Sequence, residues 1–313
     1  MARNNDFSFD LYRLTVLDTE GLMEFMGAPL RSDSDIFSVL VESCKSEFDF
    51  RNEAATAIYD WGVRDFVFLP TGDSDEDVCE ITLAKATIEK DGAIFTPSSV
   101  QPGTSIAQPP PAAYVKIIFN MKRHLVAVEH NSAITNGHGW LRAFHEIVRK
   151  ASVSLGFSSS IELQEKPKKS EILETFMSFD RLTRIKVKLL LPNPELSRLT
   201  QHLYDELSQG GVRLFIADMR NPGGLSQAEE TLPHAAAAMA EDGYKKGEVL
   251  LEGVRGGRRE TVKTGTQAAR GKVEGIKDFV RGQASAVRTQ EGKTITEAIL
   301  KEIDRVADEP EVV

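Results

Sequence analysis

The chain opens with FSFDLYRLTVL (7–17), where aromatic and branched residues recur at near-alternating spacing, the period-two signature of a strand. Ser32-Asp33-Ser34-Asp35 then offers N-cap side chains for a helix whose apolar face is Ile36, Val39, Leu40 and Cys44. VRDFVFL (63–69) reads as a strand ended by Pro70-Thr71-Gly72, and VCEITLAKATIE (78–89) as another beyond the acidic DSDED loop (73–77). The Pro/Ser/Gly-rich stretch 98–111 has little to bury and predicts a long surface loop or linker.

Beyond it the periodicity sharpens. YVKIIFN (114–120) and HLVAVEH (124–130) flank Met121-Lys122-Arg123 and predict a hairpin feeding a central sheet. From Gly139 to Leu155, Trp140, Leu141, Phe144, Ile147, Val148 and Ala151 recur at three- and four-residue spacings, the clearest amphipathic helix in the chain. SSSIELQE predicts a short strand, and SEILETFMSF a helix starting from Ser170. In 181–194, Thr183, Ile185, Val187 and Leu189 point one way and Arg184, Lys186 and Lys188 the other, until Pro192 and Pro194 end the strand. A helix striped by Leu196, Leu199, Leu203 and Leu207 follows, with Gly210-Gly211 as its C-cap, then the strand VRLFIAD (212–218). A helix near Pro233, a hairpin around Gly256-Gly257 and a last helix from Thr294 to Val306 complete the pattern.

This order predicts an α+β fold of mixed, mostly antiparallel sheets with packed helices in two subdomains. The expected division is an acidic N-terminal α+β subdomain (1–111) ending in the Pro/Ser-rich loop, and a central α+β subdomain (112–265) bearing the hairpin. A basic flexible arm and C-terminal helix (266–313) follow.

Composition narrows the class. With 313 residues, 41% of them hydrophobic, the chain can bury a real core, which excludes wholesale disorder. No apolar run approaches the roughly 20 residues of a membrane-spanning helix, and MARNNDFSFD lacks a signal peptide's apolar stretch. Cys44 and Cys79 have no CxxC spacing, which argues against a disulfide framework or a thiolate zinc site. The expected location is the cytoplasm.

Charge changes the picture more. The formal net charge is −9, yet residues 1–110 carry −12 while residues 244–293, with twelve Lys/Arg and six Asp/Glu, carry +6. A cationic segment on an acidic protein points to a polyanion as partner, or to an acidic surface of the protein or of its dimer mate. If Gly256-Gly257 form a two-residue turn, Arg255 directly opposes Arg258 and Val254 opposes Arg259. Like charges across a ladder repel, and guanidinium forks suit an intervening phosphate. Arg184, Lys186 and Lys188 make a second cationic stripe stepping about 7 Å along one strand face. An edge strand guarded by lysine would carry the same pattern. The tract 264–293 reads either as an arm that orders on contact or as a docking helix built on Val273, Ile276, Phe279 and Val280.

Catalytic signals are weak by comparison. There is no GxSxG, HExxH, Walker A or GxGxxG; His138 and His145 are seven apart, but His138 falls at a helix start, and Glu291-Gly292-Lys293 lies in a polar tract. No catalytic residue, cofactor or metal is implied, and the reading leans away from an enzyme.

From about residue 114 onward, the hairpin ending LVAVEHNSAIT, the helix, SSSIELQE, and LTRIKVKLLLPNP with its following helix and strand form an order that resembles the RexA/KwaB-like phage-defence proteins. The resemblance spans about 150 residues and implies a homodimeric DNA-binding protein that senses phage intermediates and works with a membrane effector encoded nearby. The acidic first 110 residues fall outside it. The expectation is therefore a nucleic-acid-binding protein, DNA favoured, held by Arg184, Lys186, Lys188, Arg255, Arg258, Arg259 and Lys263. The alternatives are a nuclease or nucleotide-processing effector and a non-catalytic interaction subunit.

Overall fold

The computed structural model describes residues 5–18, 30, 32–71, 77–95, 97, 99–106, 108–168, 170–190, 201–210, 212, 214–282 and 290–307. The elements run β1 (Phe7–Asp18), α1 (Asp33–Glu42), β2 (Phe50–Ala54), β3 (Ala57–Phe68), β4 (Val78–Phe95), β5 (Val100–Ile106), β6 (Ala112–Asn120), β7 (Leu125–Glu129), α2 (Ser132–Thr135), α3 (Gly139–Ser154) and β8 (Ser159–Glu165). They continue with α4 (Glu171–Met177), β9 (Arg181–Leu190), α5 (Gln201–Gln209), β10 (Leu214–Arg220), α6 (Leu232–Met239), β11 (Val249–Arg255), β12 (Arg258–Thr264), β13 (Arg270–Val273), α7 (Lys277–Gly282) and α8 (Gln290–Ala307).

Among the described residues the strands form two antiparallel sheets, so the α+β expectation holds. The nine-stranded sheet follows the order β13-β1-β7-β6-β4-β3-β2, with β5 on β4 and β8 on β1; the four-stranded sheet runs β10-β9-β11-β12. The large sheet is covered on both faces. Val115, Ile117, Phe119, Val126 and Val128 pack under Trp140, Phe144, Ile147 and Val148 of α3 and under α1. Phe9, Leu11, Ile118, Leu125 and Ala127 pack under Val280 of α7 and Ile299 and Ile303 of α8. Burial on both faces is why β6 and β7 read as near-continuous apolar runs, each fully buried side chain contributing about 1.5–3 kcal/mol.

One polar cluster lies inside this second layer. Lys116 Nζ sits 2.8 Å from Glu80 Oε1, both side chains only 6% exposed. Glu129, 1% exposed, accepts from Arg281 Nε at 2.6 Å and so ties α7 to the sheet. Burial pushes the Glu80 carboxyl above the usual carboxylate range against the pull of Lys116.

The structure departs from the sequence reading at several points. The stretch 98–111, expected as a loop, contains β5, paired with β4 from Phe95↔Val100 to Glu89↔Ile106. Its exposed residues carry little burial signal, and Pro102 is tolerated because β5 has no second strand neighbour among the described residues. Ser170 precedes α4 at φ +61 without capping it. Instead the Glu241 carboxylate accepts from the N–H groups of Ile172 (2.7 Å) and Leu173 (3.3 Å), a long-range cap invisible to local pattern. In the basic tract, Arg270–Val273 are strand β13 on β1, and the helix begins only at Lys277, with Val280 buried. Leu196, Leu199, Pro192, Pro194 and Gly211 lie outside the described residues.

Candidate anion-binding site

The four-stranded sheet has one packed face and one open face. Ile185, Val187, Leu189, Ala217, Val249 and Leu251 bury against Ile172 and Phe176 of α4, Leu203 of α5 and Ala236, Ala237 and Met239 of α6. Directly paired residues share a face, so the registers define four rows on the other side. They are Lys188 with Ile216; Lys186 with Asp218, Leu250 and Lys263; Arg184 with Arg220, Glu252 and Thr261; and Arg181 with Val254 and Arg259. Seven cations stand in these rows against the carboxylates of Asp218 and Glu252. No helix covers them among the described residues.

The last row exists because of a β-bulge. The β9–β11 register passes from Glu252↔Arg184 to Gly253↔Leu182, leaving Thr183 as the extra residue. Strict alternation would have buried Thr183; instead Leu182 is fully buried and Arg181 lands on the face of Arg184, three residues away. Gly253 makes the bulge possible. A Cβ there would overlap the Arg181 carbonyl oxygen and stand 2.8 Å from Phe179 Cδ1.

The hairpin forms as its Gly-Gly pair dictates. Gly256 and Gly257 take φ +56 and +75, and Arg255 opposes Arg258 while Val254 opposes Arg259. Alternation then separates the predicted residues. Arg184, Lys186, Lys188, Arg259 and Lys263 share the open face, whereas Arg255 and Arg258 stand at the tip with the opposite orientation. Arg255 reaches Glu260 at 4.0 Å.

Ion pairing separates them further. Arg184 donates through Nε and its NH2 nitrogen to Asp218 (2.8 and 2.9 Å) and through its NH1 nitrogen to Glu252 (2.6 Å). Arg220 donates to both oxygens of the same Asp218 at 3.0 and 2.8 Å. These bonds hold the Asp218 carboxyl well below the usual carboxylate range and raise the Arg184 guanidinium, by direct hydrogen bonding first in each case. Lys263 pairs with Glu248 at 2.6 Å. Arg181, Lys186, Lys188, Arg258 and Arg259 have no ion-pair partner among the described residues and are exposed.

At the bulge end of the face lies a cleft of about 350 Å³ whose charged lining is Arg181, Arg184, Arg220 and Arg259 with Glu252 and Glu260, beside Pro222. Sequence reasoning missed Arg181 and Arg220. Arg220 alternates with the part-buried Met219 and was legible as a continuation of the 212–218 strand. Arg181 was signalled only by apolar Leu182 breaking the alternation of RLTRIKVK.

Other reactive types are placed for structure. His145 is half-buried and accepts from the Leu163 N–H through Nε2 at 2.9 Å; desolvation, helped by Lys246, lowers its pKa to about 4. His138 lies 3.5 Å from Glu165. Burial raises the thiols of Cys79 and Cys44. No described helix is long and apolar enough to cross a membrane.

Fold and site together define an α+β protein with a cationic sheet face that no described helix covers and a cleft that can hold an anion through guanidinium groups. Residues 110–274, more than half of the chain, match the domain of unknown function DUF4747, and the chain belongs to that family. The matched span runs from the start of β6 to the end of β13 and contains every residue of the candidate face. No curated protein matches the chain.

Proposed function

We propose that this protein binds nucleic acid, DNA foremost, through phosphate contacts on the open face of the four-stranded sheet. The observation that supports it is that Arg259 of the hairpin shares the face of the β9 stripe, a face no described helix covers, with Lys186, Lys188 and Arg259 exposed and unpaired among the described residues. Cations stepping about 7 Å along β9 favour a polyanion over a single small anion. From the RexA/KwaB resemblance the proposal takes its setting: phage defence in the cytoplasm, as a homodimer working with a membrane effector. Arg184 enters as a positioning residue, since its guanidinium is bound to Asp218 and Glu252.

Salt titration of duplex DNA binding is the test. Each phosphate neutralised contributes about −0.9 to the log–log slope, so Lys186→Ala with Lys188→Ala and Arg259→Ala reduces its magnitude by about 2 to 3. An absence of binding at about 50 mM salt, or an unchanged slope in the triple variant, overturns the proposal.

A further inference from the structure

The open face carries a cleft at its bulge end. On one side stands the turn at Pro222, held by the Asn221 side chain, which accepts from the Gly223 N–H at 2.9 Å and donates to the Gly224 carbonyl at 2.7 Å. The Arg181 stem lies beside Gly224, where a Cβ would come within 3.1 Å of its Cγ. Arg181 and Arg259 occupy strands on either side of Val254 in one row, so their main chains are about 10 Å apart and their long side chains can converge above it. The two remaining lining arginines share Asp218, Glu252 is bound to Arg184, and Glu260, the other lining carboxylate, faces Arg255 at 4.0 Å. Two unpaired guanidiniums therefore remain in the cleft among the described residues.

That charge count discriminates between phosphate esters. An internal phosphodiester carries one negative charge, whereas a phosphomonoester carries about −1.5 to −2 at pH 7 and has three oxygens to accept from two forks. A polymer tracking Lys188 and Lys186 toward the start of β9 brings its end into the cleft beside the Pro222 turn, where both unpaired guanidiniums can reach a terminal phosphate. We propose that the cleft binds a phosphomonoester, the 5′- or 3′-phosphate at the end of a nucleic-acid strand, with Arg181 and Arg259 as its ligands and Arg184 and Arg220 held beside them by Asp218. This inference rests on the nucleic-acid reading and deepens it from backbone binding to end recognition. A free nucleotide presents the same group and is the alternative source.

Fluorescence anisotropy with single-stranded oligonucleotides of one sequence, bearing 5′-phosphate, 3′-phosphate or hydroxyl ends, tests it, with adenosine monophosphate as competitor. One phosphorylated end binds about tenfold or more tighter than the hydroxyl form, and Arg181→Ala removes that preference. Arg181→Lys keeps the charge but loses the fork, and recovers only part of it. Competition by adenosine monophosphate at micromolar concentration identifies a free nucleotide as the source; competition only at millimolar concentration identifies the strand end. Equal affinity for all three ends, with the steep salt dependence intact, overturns end recognition and leaves the backbone reading standing. Binding of none of the oligonucleotides overturns end recognition, and the duplex titration then decides the backbone reading separately. A preference that survives Arg181→Ala and Arg259→Ala overturns the assignment of the cleft.

Discussion

His145 offers a stringent measurement of how the large sheet and α3 hold together. Its ring is half-buried between α3 and β8, where Nε2 accepts from the Leu163 N–H at 2.9 Å. Only the neutral ring can accept there, and burial reinforced by Lys246 lowers the pKa from 6.5 to about 4. A base with a depressed folded pKa binds its proton more readily in the unfolded chain. Folding therefore loses stability as pH falls through 6.5 and goes on losing it until pH reaches about 4. The displacement corresponds to about 3 kcal/mol at about 1.4 kcal/mol per tenfold change. In His145→Gln an amide oxygen can take the Leu163 N–H and nothing titrates, so the variant loses about 1 kcal/mol at pH 7 and lacks the acid-dependent loss. Urea unfolding of both proteins between pH 7 and 4, compared as a difference curve, cancels the other titrating groups. Parallel stability profiles across that window would refute the neutral ring.

Gly253→Ala forces a Cβ against the Arg181 carbonyl oxygen and Phe179, costing about 1–3 kcal/mol and displacing Arg181; thermal unfolding falls by several degrees and any phosphate-end preference weakens. A melting temperature unchanged within about 1 °C would contradict the bulge geometry. Lys116→Met strands the buried Glu80 carboxylate and costs about 3–5 kcal/mol in urea unfolding, most of it recovered by adding Glu80→Gln. A single-variant loss below about 1 kcal/mol would mean that water reaches the pair.

Much of the fold was legible because periodicity is local. The alternation in 7–17, the two apolar runs around Met121-Lys122-Arg123 and the three-and-four spacing from Trp140 to Ala151 each became the element expected. Where burial did not accompany structure, as in β5, no periodicity marked the strand. The candidate face was half legible. Alternation put Arg184, Lys186 and Lys188 on one side of β9, but could not reveal that Asp218, 34 residues on, would bind Arg184. It also grouped the tip residues Arg255 and Arg258 with Arg259, which faces the other way.

What this sequence settles by itself is the identity and register of the two strands of the β11–β12 hairpin, because a two-residue Gly-Gly turn leaves one pairing that keeps Leu251 and Val262 on the core side. The tertiary structure alone decides the rest. A bulge opposite Gly253 shifts the phase of β9 and brings Arg181 into the row of Arg259, and three helices pack on one face of the sheet, none of the described helices covering the cationic face. Both outcomes depend on which strands become neighbours and on which backbone atoms then crowd one another, and neither quantity is carried by the local alternation of apolar and polar residues.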